Sequence, residues 1–345
     1  MSIVETESAT ATPLTEALTC LARRLFGADA GVINIARLSG GASQETWAFD
    51  ATAFEATGPQ RRALILRRTP PHPNAKMGAL SIETEAALMR LALAAGVPSP
   101  HVLHVLTPDD ALGRGFVMER VEGETIPRKI LRDAVFADLR PRLARELGGI
   151  LARLHRIDTA GLPLRSLTAA DELAQLRQTY VADGQPRPVF ELAFRWLADH
   201  APQEPAASLV HGDFRHGNFI VDARGVQAIL DWELAHLGDP MRDLGWICTS
   251  SWRFGGIDKP VGGFGELADL VAGYHEAGGA GVDLARVKFW ETFGSLRWGV
   301  MCLGMLARFE RGGDRTIERA MIGRRASETE IDLLRLLSPR RSSRR

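Results

Sequence analysis

Residues Ser208 to Asp243 read SLVHGDFRHGNFIVDARGVQAILDWELAHLGDPMRD, and this stretch decides the fold. Leu209 and Val210 end a short apolar run, His211-Gly212-Asp213 follows as a loop, and Asn218-Phe219-Ile220-Val221 reads as a strand. Asp222-Ala223-Arg224-Gly225 has turn chemistry, and Val226–Trp232 is the returning strand of an antiparallel hairpin. A turn centred between Ala223 and Arg224 places Asn218 across from residue 229, one same-face step from Asp231. Diagonal neighbours on one sheet face lie roughly 7–8 Å apart. A Mg²⁺ ion with oxygen bonds of about 2.1 Å can bridge that span. Local geometry therefore predicts one amide and one carboxylate together at the open end of a hairpin, with a second carboxylate, Asp213, at its mouth.

Asp213 and Asn218 have the D-x-x-x-x-N spacing of a kinase catalytic loop. In that arrangement the Asp accepts the proton of an attacking hydroxyl, while the Asn and a later Asp hold Mg²⁺ on a triphosphate. Phosphoryl transfer asks mainly for positioning and for neutralisation of oxygen charge, which these residue types supply. HGDFRHGN followed by ILDWE resembles the motif pair of the aminoglycoside phosphotransferase-like family, small-molecule kinases related to choline kinases and protein kinases. HGD stands where protein kinases have HRD, and DWE where they have DFG.

The resemblance spans roughly residues 28–310. It implies an α+β, two-lobed protein-kinase-like fold with a β-rich N-terminal lobe and a mainly helical C-terminal lobe. It implies a Mg²⁺-dependent enzyme moving the γ-phosphoryl group of ATP or GTP to a hydroxyl of a small molecule. Asp213 is then the base, and Asn218 and Asp231 are the metal ligands. Asp243 resembles the family's aspartate that braces the catalytic loop from the following helix. His211 reads as a buried hydrogen-bonding post. Glu233, two residues beyond Asp231 on the same strand face, assists the metal or the substrate.

A kinase also needs a nucleotide side, and the first part of the chain offers candidates for each of its parts. Residues 32–69 read as strands, with Ser39-Gly40-Gly41-Ala42-Ser43 as a Gly-rich hairpin tip. Ser39, Gly40, Gly41 and Ser43 can cover phosphates with backbone N–H groups, or form an ordinary turn. The third strand, Leu64-Ile65-Leu66-Arg67, stands where protein kinases show V-A-I-K, so Arg67 replaces the lysine. The chain has only four lysines, leaving 38 arginines among its 42 basic residues, and no lysine lies on this strand. Strand alternation puts Arg67 on the face of Ile65, which would lie near adenine, and turns Arg68 the other way. Arginine at this place also occurs in the family branch linked to acyl-CoA metabolism.

The helix Ser81–Ala95 carries Glu83 and Glu85. Glu85 shares the apolar stripe with Ile82 and Met89 and needs a buried partner, which makes it the choice for Arg67. Phe116-Val117-Met118-Glu119 resembles the hinge. Met118 lines the adenine site, and the backbone from Glu119 to Val121 would read the base.

The remaining composition bounds the answer. The 345 residues are 45% hydrophobic and 24% charged, with 42 basic and 42 acidic residues and a formal net charge of zero. That argues against nucleic acid or a membrane surface as a partner. The N-terminus carries no basic-then-apolar leader, and no apolar run approaches the roughly 20 residues that span a bilayer. Cys20, Cys248 and Cys302 are far apart and read as reduced thiols of a cytoplasmic protein. The expected organisation is an N-terminal segment and helix (1–27), a nucleotide-binding lobe (28–120), a catalytic and substrate lobe (121–337) and a disordered tail (338–345).

Trp246, Trp252, Phe254, Tyr274, Trp290 and Trp298, with Arg242, Arg253 and Arg297, read as core or as lining of the acceptor pocket. Aromatics and arginines favour a neutral or anionic hydroxylated acceptor over a polycationic drug. The resemblance adds a hydroxyacyl-CoA as a candidate. An antibiotic kinase and a nucleotide-binding pseudokinase acting as an interaction module are the alternatives.

Overall fold

A computed structural model describes residues 11–38, 44–55, 58–70, 79–183, 185–203, 207–312 and 316–338. Residues 1–10, the tail 339–345 and the tip with Ser39, Gly40, Gly41 and Ser43 lie outside the described residues. Helix α1 (Ala11–Phe26) follows from Leu14, Leu18, Leu21 and Leu25 at helical spacing, and the first three are buried. Gly27, at φ +108°, ends it.

Strands β1 (Gly31–Arg37), β2 (Glu45–Glu55) and β3 (Gly58–Arg68) come next, then α2 (Ile82–Ala94), β4 (Val102–Val105) and β5 (Gly115–Glu119). They form one antiparallel sheet in the order β1-β2-β3-β5-β4. Alternation along β3 sends Leu64 and Leu66 into a core shared with Phe49, Val117 and the leucines of α1. Ile65 and Arg67 therefore belong to the opposite face. Ser81 caps α2, its hydroxyl accepting the Thr84 N–H at 3.2 Å.

Helices dominate from residue 127 onward: α3 (Pro127–Arg132), α4 (Arg140–Leu154), α5 (Ala169–Asp183) and α6 (Pro188–Asp199). Four short strands interrupt them, β6 (Ser208–Val210), β7 (Phe219–Asp222), β8 (Gly225–Ile229) and β9 (His236–Gly238). Then come α7 (Met241–Cys248), α8 (Leu267–Glu276), α9 (Leu284–Glu310), α10 (Ile317–Arg324) and α11 (Ala326–Leu337). Helix α9 is the spine of this part: α7, α10 and α11 pack on it, and its Phe289, Trp290, Phe293, Leu296 and Leu303 are buried. Helices α4 and α8 meet through Gly148 and Gly273. A Cβ on Gly148 would collide with the Leu270 carbonyl, and one on Gly273 with the Arg145 carbonyl. The architecture is α+β, with a β-rich N-terminal part and a mainly helical C-terminal part.

Packing divides the chain into two compact units. One takes Met1–Ile126 with Thr159–Pro163 and Gly217–Ala235; the other takes Pro127–Asp158, Leu164–His216 and His236–Arg345. The division is not linear in sequence. The β7–β8 hairpin, placed by the sequence reading in the later lobe, groups with the N-terminal unit, because Ile229 N–H bonds the Pro98 carbonyl and Val221 exchanges backbone bonds with Glu124.

The hairpin register differs from the expected one by a residue. Asp222 pairs with Gly225 and Val221 with Val226, as a turn at Ala223-Arg224 requires, but Ile220 pairs with Ala228 and Phe219 with Ile229. Gln227 is the extra residue of a bulge, its amide bonded to the Asp222 carboxylate at 3.0 Å. Asn218 consequently lies across from Leu230, whose N–H donates to the Asn218 carbonyl at 2.8 Å.

Among the described residues no helix is long and apolar enough to cross a membrane. Cys20 is exposed, Cys248 and Cys302 are buried, and all three are free.

Candidate active site

The face of β3 opposite the α1 core carries Arg67, and three groups converge on it within the N-terminal unit. Its Nη2 lies 3.1 Å from Glu85 Oε1 and 2.8 Å from Asp231 Oδ1. Its Nε donates to Gln44 Oε1, and Gln44 Nε2 in turn donates to Glu85 Oε2 at 3.1 Å. Glu85 is 1% exposed, so burial raises its carboxyl pKa while the Arg67 charge works against that rise. Burial draws the Arg67 pKa down, but Glu85 and Asp231 more than reverse this, so the guanidinium stays a cation. The arginine fork suits this position, because one edge serves Gln44 while another bridges two carboxylates. A lysine has a single nitrogen for all three. Glu83, on the other stripe of α2, pairs with Arg114 at 2.6 Å in solvent. Arg68, pointing away, pairs with Glu45 at 2.9 Å.

Asp231 does not continue the strand. Its backbone is left-handed, φ 64° and ψ 62°, a conformation that costs roughly 1–3 kcal/mol outside glycine and that Asp and Asn tolerate best. This turn, rather than strand alternation, sets where its carboxylate goes. The strand ends at Ile229, and Trp232–Leu234 form a 3-10 turn anchored by Trp232 Nε1 on the Ile229 carbonyl at 3.2 Å. Glu233 is therefore on no strand face. It is 2% exposed, and its carbonyl accepts the Leu80 N–H.

On the expected hinge, Met118 is buried and pairs in register with Ile65 on β3. The Glu119 and Arg120 N–H groups are already engaged by the carbonyls of His101 and Ala63, and Val121 follows them half-buried. Leu38 N–H closes on the Thr46 carbonyl at 2.9 Å, at the base of the connection between β1 and β2.

Asn218 and Asp231 offer one amide oxygen and one carboxylate. Among the described residues no group of three or more His, Cys, Asp or Glu forms a metal cage. A Mg²⁺ ion that keeps waters and phosphate oxygens needs only one or two protein oxygens. The Asp231 side chain is 32% exposed, so by donor type and access this hard-oxygen pair fits such an ion.

The helical unit holds the loop that carries Asp213. Asp243, in the first turn of α7, is fully buried and takes three donors: His211 N–H at 2.7 Å, Gly212 N–H at 2.9 Å and His155 Nε2 at 3.2 Å. Burial alone would push its carboxyl up; the bonded His155 and nearby positive charge overcome that and hold it at about 2. Tyr274 Oη, 3.0 Å from His155 Nδ1, holds the imidazole from behind. Gly212 sits at φ +81°, which the tight turn requires. His211 is fully buried, and its Nδ1 accepts the Asp213 N–H at 3.2 Å. Past Asp213, His216 Nε2 lies 2.8 Å from the Gly262 carbonyl, and burial lowers this imidazole to about 4.

Asp213, thus presented, accepts from Arg215 Nε at 2.9 Å and from Trp246 Nε1 at 2.8 Å. Arg242 anchors the loop by donating to the Gly212 carbonyl at 2.8 Å while pairing with buried Glu172 at 2.7 Å.

Two participants escaped the sequence reading. Gln44 follows the Gly-rich tip, and only its fold position shows that it joins Arg67 to Glu85. Arg215 lies inside HGDFRHGN two residues after Asp213, a spacing that could have flagged it.

The family model of the phosphotransferase enzyme family matches residues 34–290. Among curated relatives, acyl-CoA dehydrogenase family member 10 of Mus musculus is 32% identical over 201 residues, covering 55% of this chain and 18% of that protein. Acyl-CoA dehydrogenase family member 11 of Gallus gallus is 25% identical over 339 residues, covering 90% of this chain and 40% of that protein. The chain thus spans less than half the length of these relatives. Among solved structures, a candidate aminoglycoside phosphotransferase of Ralstonia eutropha superposes with a TM-score of 0.73 at 24% identity, covering 93% of this chain and 97% of that one. A choline/ethanolamine kinase family protein of Mesorhizobium loti superposes at 0.59 with 21% identity and 89% of each chain. These superpositions show the fold, and the match over residues 34–290 places this chain in the phosphotransferase enzyme family of small-molecule kinases.

Proposed function

We propose that the protein transfers the γ-phosphoryl group of ATP or GTP to a hydroxyl of a small molecule. The observation that carries this reading is the cluster of Arg67 with Glu85 and Asp231: a strand cation held by a buried helix carboxylate, beside the carboxylate that follows the hairpin. Arg67 neutralises phosphate oxygens, and Glu85 with Gln44 keeps it oriented. Asn218 and Asp231 would hold Mg²⁺, which when bound would neutralise charge on the nucleotide phosphates. Asp213 orients the acceptor hydroxyl and takes its proton as the oxygen bonds to the γ-phosphorus. The bond from that phosphorus to its bridging oxygen breaks, and the nucleoside diphosphate leaves. Met118, Ile65 and the backbone from Glu119 to Val121 take the base, and Ser39, Gly40, Gly41 and Ser43 cover the phosphates. Glu233 supports Asp231. The acyl-CoA dehydrogenase names of the relatives favour a hydroxyacyl-CoA or another hydroxylated metabolite as acceptor.

Nucleotide binding tests the first half of this reading. Mg²⁺ with ATP or GTP at about one hundred times Kd should stabilise the wild type by about 2.7 kcal/mol. Asp231→Asn, which keeps a residue suited to the left-handed backbone but removes the charge, should lose most of that shift in a thermal melt. An undiminished shift in the variant would remove Asp231 from metal binding.

A second reading, a nucleotide-binding pseudokinase, is favoured by the direct 2.8 Å pair between Arg67 and the Asp231 carboxylate. Nucleotide stabilisation without transfer to any hydroxylated acceptor would support it.

A further inference from the structure

Three arginines and three carboxylates crowd the catalytic loop of the helical unit, and they do not pair evenly. Asp213 is taken by Arg215, Glu172 by Arg242, and Asp243 by two backbone N–H groups and His155. Arg297, on α9, contacts no carboxylate among the described residues. Its guanidinium lies over the Trp246 ring at 5.1 Å, and its one hydrogen bond goes to the Gly212 carbonyl, at 3.5 Å. Burial and the neighbouring Arg242 lower its pKa to about 10, as expected of a desolvated cation short of a counter-charge.

The rings beside it show the same deficit. Trp246, Trp252 and Trp298 form a chain with centroids 5.2 and 5.0 Å apart, and Arg215 lies over Trp252 at 4.6 Å. The indole N–H groups of Trp252 and Trp298 are buried without a hydrogen-bond partner among the described residues. A buried donor left unmade costs about 1–3 kcal/mol. One buried cation with no carboxylate contact and two buried donors with no acceptor among the described residues therefore lie along one run of rings that starts at Asp213. Trp246 joins the two sides, its ring under Arg297 and its N–H on Asp213.

We propose that Arg297, with the indole N–H groups of Trp252 and Trp298, forms an anion-binding subsite beside Asp213 that takes a carboxylate or phosphoryl group of the acceptor. The subsite rests on the reading of Asp213 as the residue that receives the acceptor hydroxyl. It narrows the acceptor to a molecule carrying its negative charge close to the hydroxyl that is phosphorylated.

Tryptophan fluorescence of the full chain reads this subsite without turnover. The probes are short hydroxy acids of three to six carbons, the corresponding hydroxyalkyl phosphates, and the neutral amides of the same acids. At least one acid or phosphate should titrate to saturation, with the neutral amide weaker by roughly ten-fold or more. Which of the two binds tells a carboxylate from a phosphoryl acceptor. Arg297→Gln should abolish the preference, and Arg297→Lys should restore part of it. Because Arg297→Gln removes a desolvated charge that only the nearby Glu172 and Asp213 partly offset, without an ion pair among the described residues, its melting temperature should match or exceed that of the wild type. An arginine that served only to hold the fold would give a lower one. Equal titration by acids, phosphates and amides, no titration by any of them, or a preference that survives in Arg297→Gln would overturn the subsite. Failure of the kinase reading shows elsewhere, as absent Mg²⁺-nucleotide stabilisation or absent phosphoryl transfer.

Discussion

Asp213→Asn should keep nucleotide stabilisation and lower turnover by about 10³-fold, within the range that general-base catalysis contributes. The side chain lies at the end of a loop held from three sides: Asp243 takes the two N–H groups before it, His211 takes its own N–H, and Arg242 takes the Gly212 carbonyl. An asparagine oxygen can still accept from Arg215 and Trp246, so the loop should keep its shape. What it loses is the ability to take a proton from a hydroxyl. Steady-state turnover, set beside the nucleotide-induced thermal shift of the same variant, separates the two effects. Near-normal turnover would remove Asp213 from the chemistry.

The second large effect concerns stability. Asp243→Ala should destabilise the chain by roughly 4 kcal/mol, because it strands two buried backbone N–H groups and a buried imidazole. Domains of this kind are stable by only about 5–15 kcal/mol, so the loss should show as a lower urea midpoint. Asp243→Asn keeps one acceptor and should fall between the two.

The pH dependence has a definite sign. The folded carboxyl is held at about 2, below its ordinary value of 3.8. The stability it contributes is therefore complete above about pH 4 and is lost as pH falls through 2. That shift corresponds to about 2 kcal/mol. The gap between wild type and Asp243→Asn should narrow by about that amount between pH 5 and pH 2 in urea titrations. A gap constant over that range would place the Asp243 charge outside the stability of the loop.

The sequence carried the architecture unusually far because its signals are local. The two glutamates of α2 fall on different stripes of a single helix. Spacing alone separates Glu85, buried beneath Arg67, from Glu83, which pairs with Arg114 in solvent. Strand alternation likewise put Arg67 opposite the α1 core. The failures have local causes too. The hairpin lost its expected register because Gln227 bulges, and no propensity marks that glutamine as the residue to be left unpaired. The strand face assigned to Glu233 disappears because Asp231 turns left-handed and the chain passes straight into a 3-10 turn at Trp232. Gln44 and the donor-rich tryptophans act through partners distant in sequence. Residue type can suggest their chemistry, but only the fold supplies their neighbours.

Phosphoryl transfer itself can be measured directly. The full chain, Mg²⁺ and ATP or GTP are incubated with hydroxylated metabolites, hydroxyacyl-CoAs and aminoglycosides, and each acceptor is weighed by mass spectrometry. At least one hydroxylated acceptor should gain a single phosphoryl group, in step with nucleoside diphosphate release and lost in Asp213→Asn. Nucleotide that binds yet is never transferred to any acceptor, or transfer that proceeds unchanged in Asp213→Asn, would contradict the kinase reading.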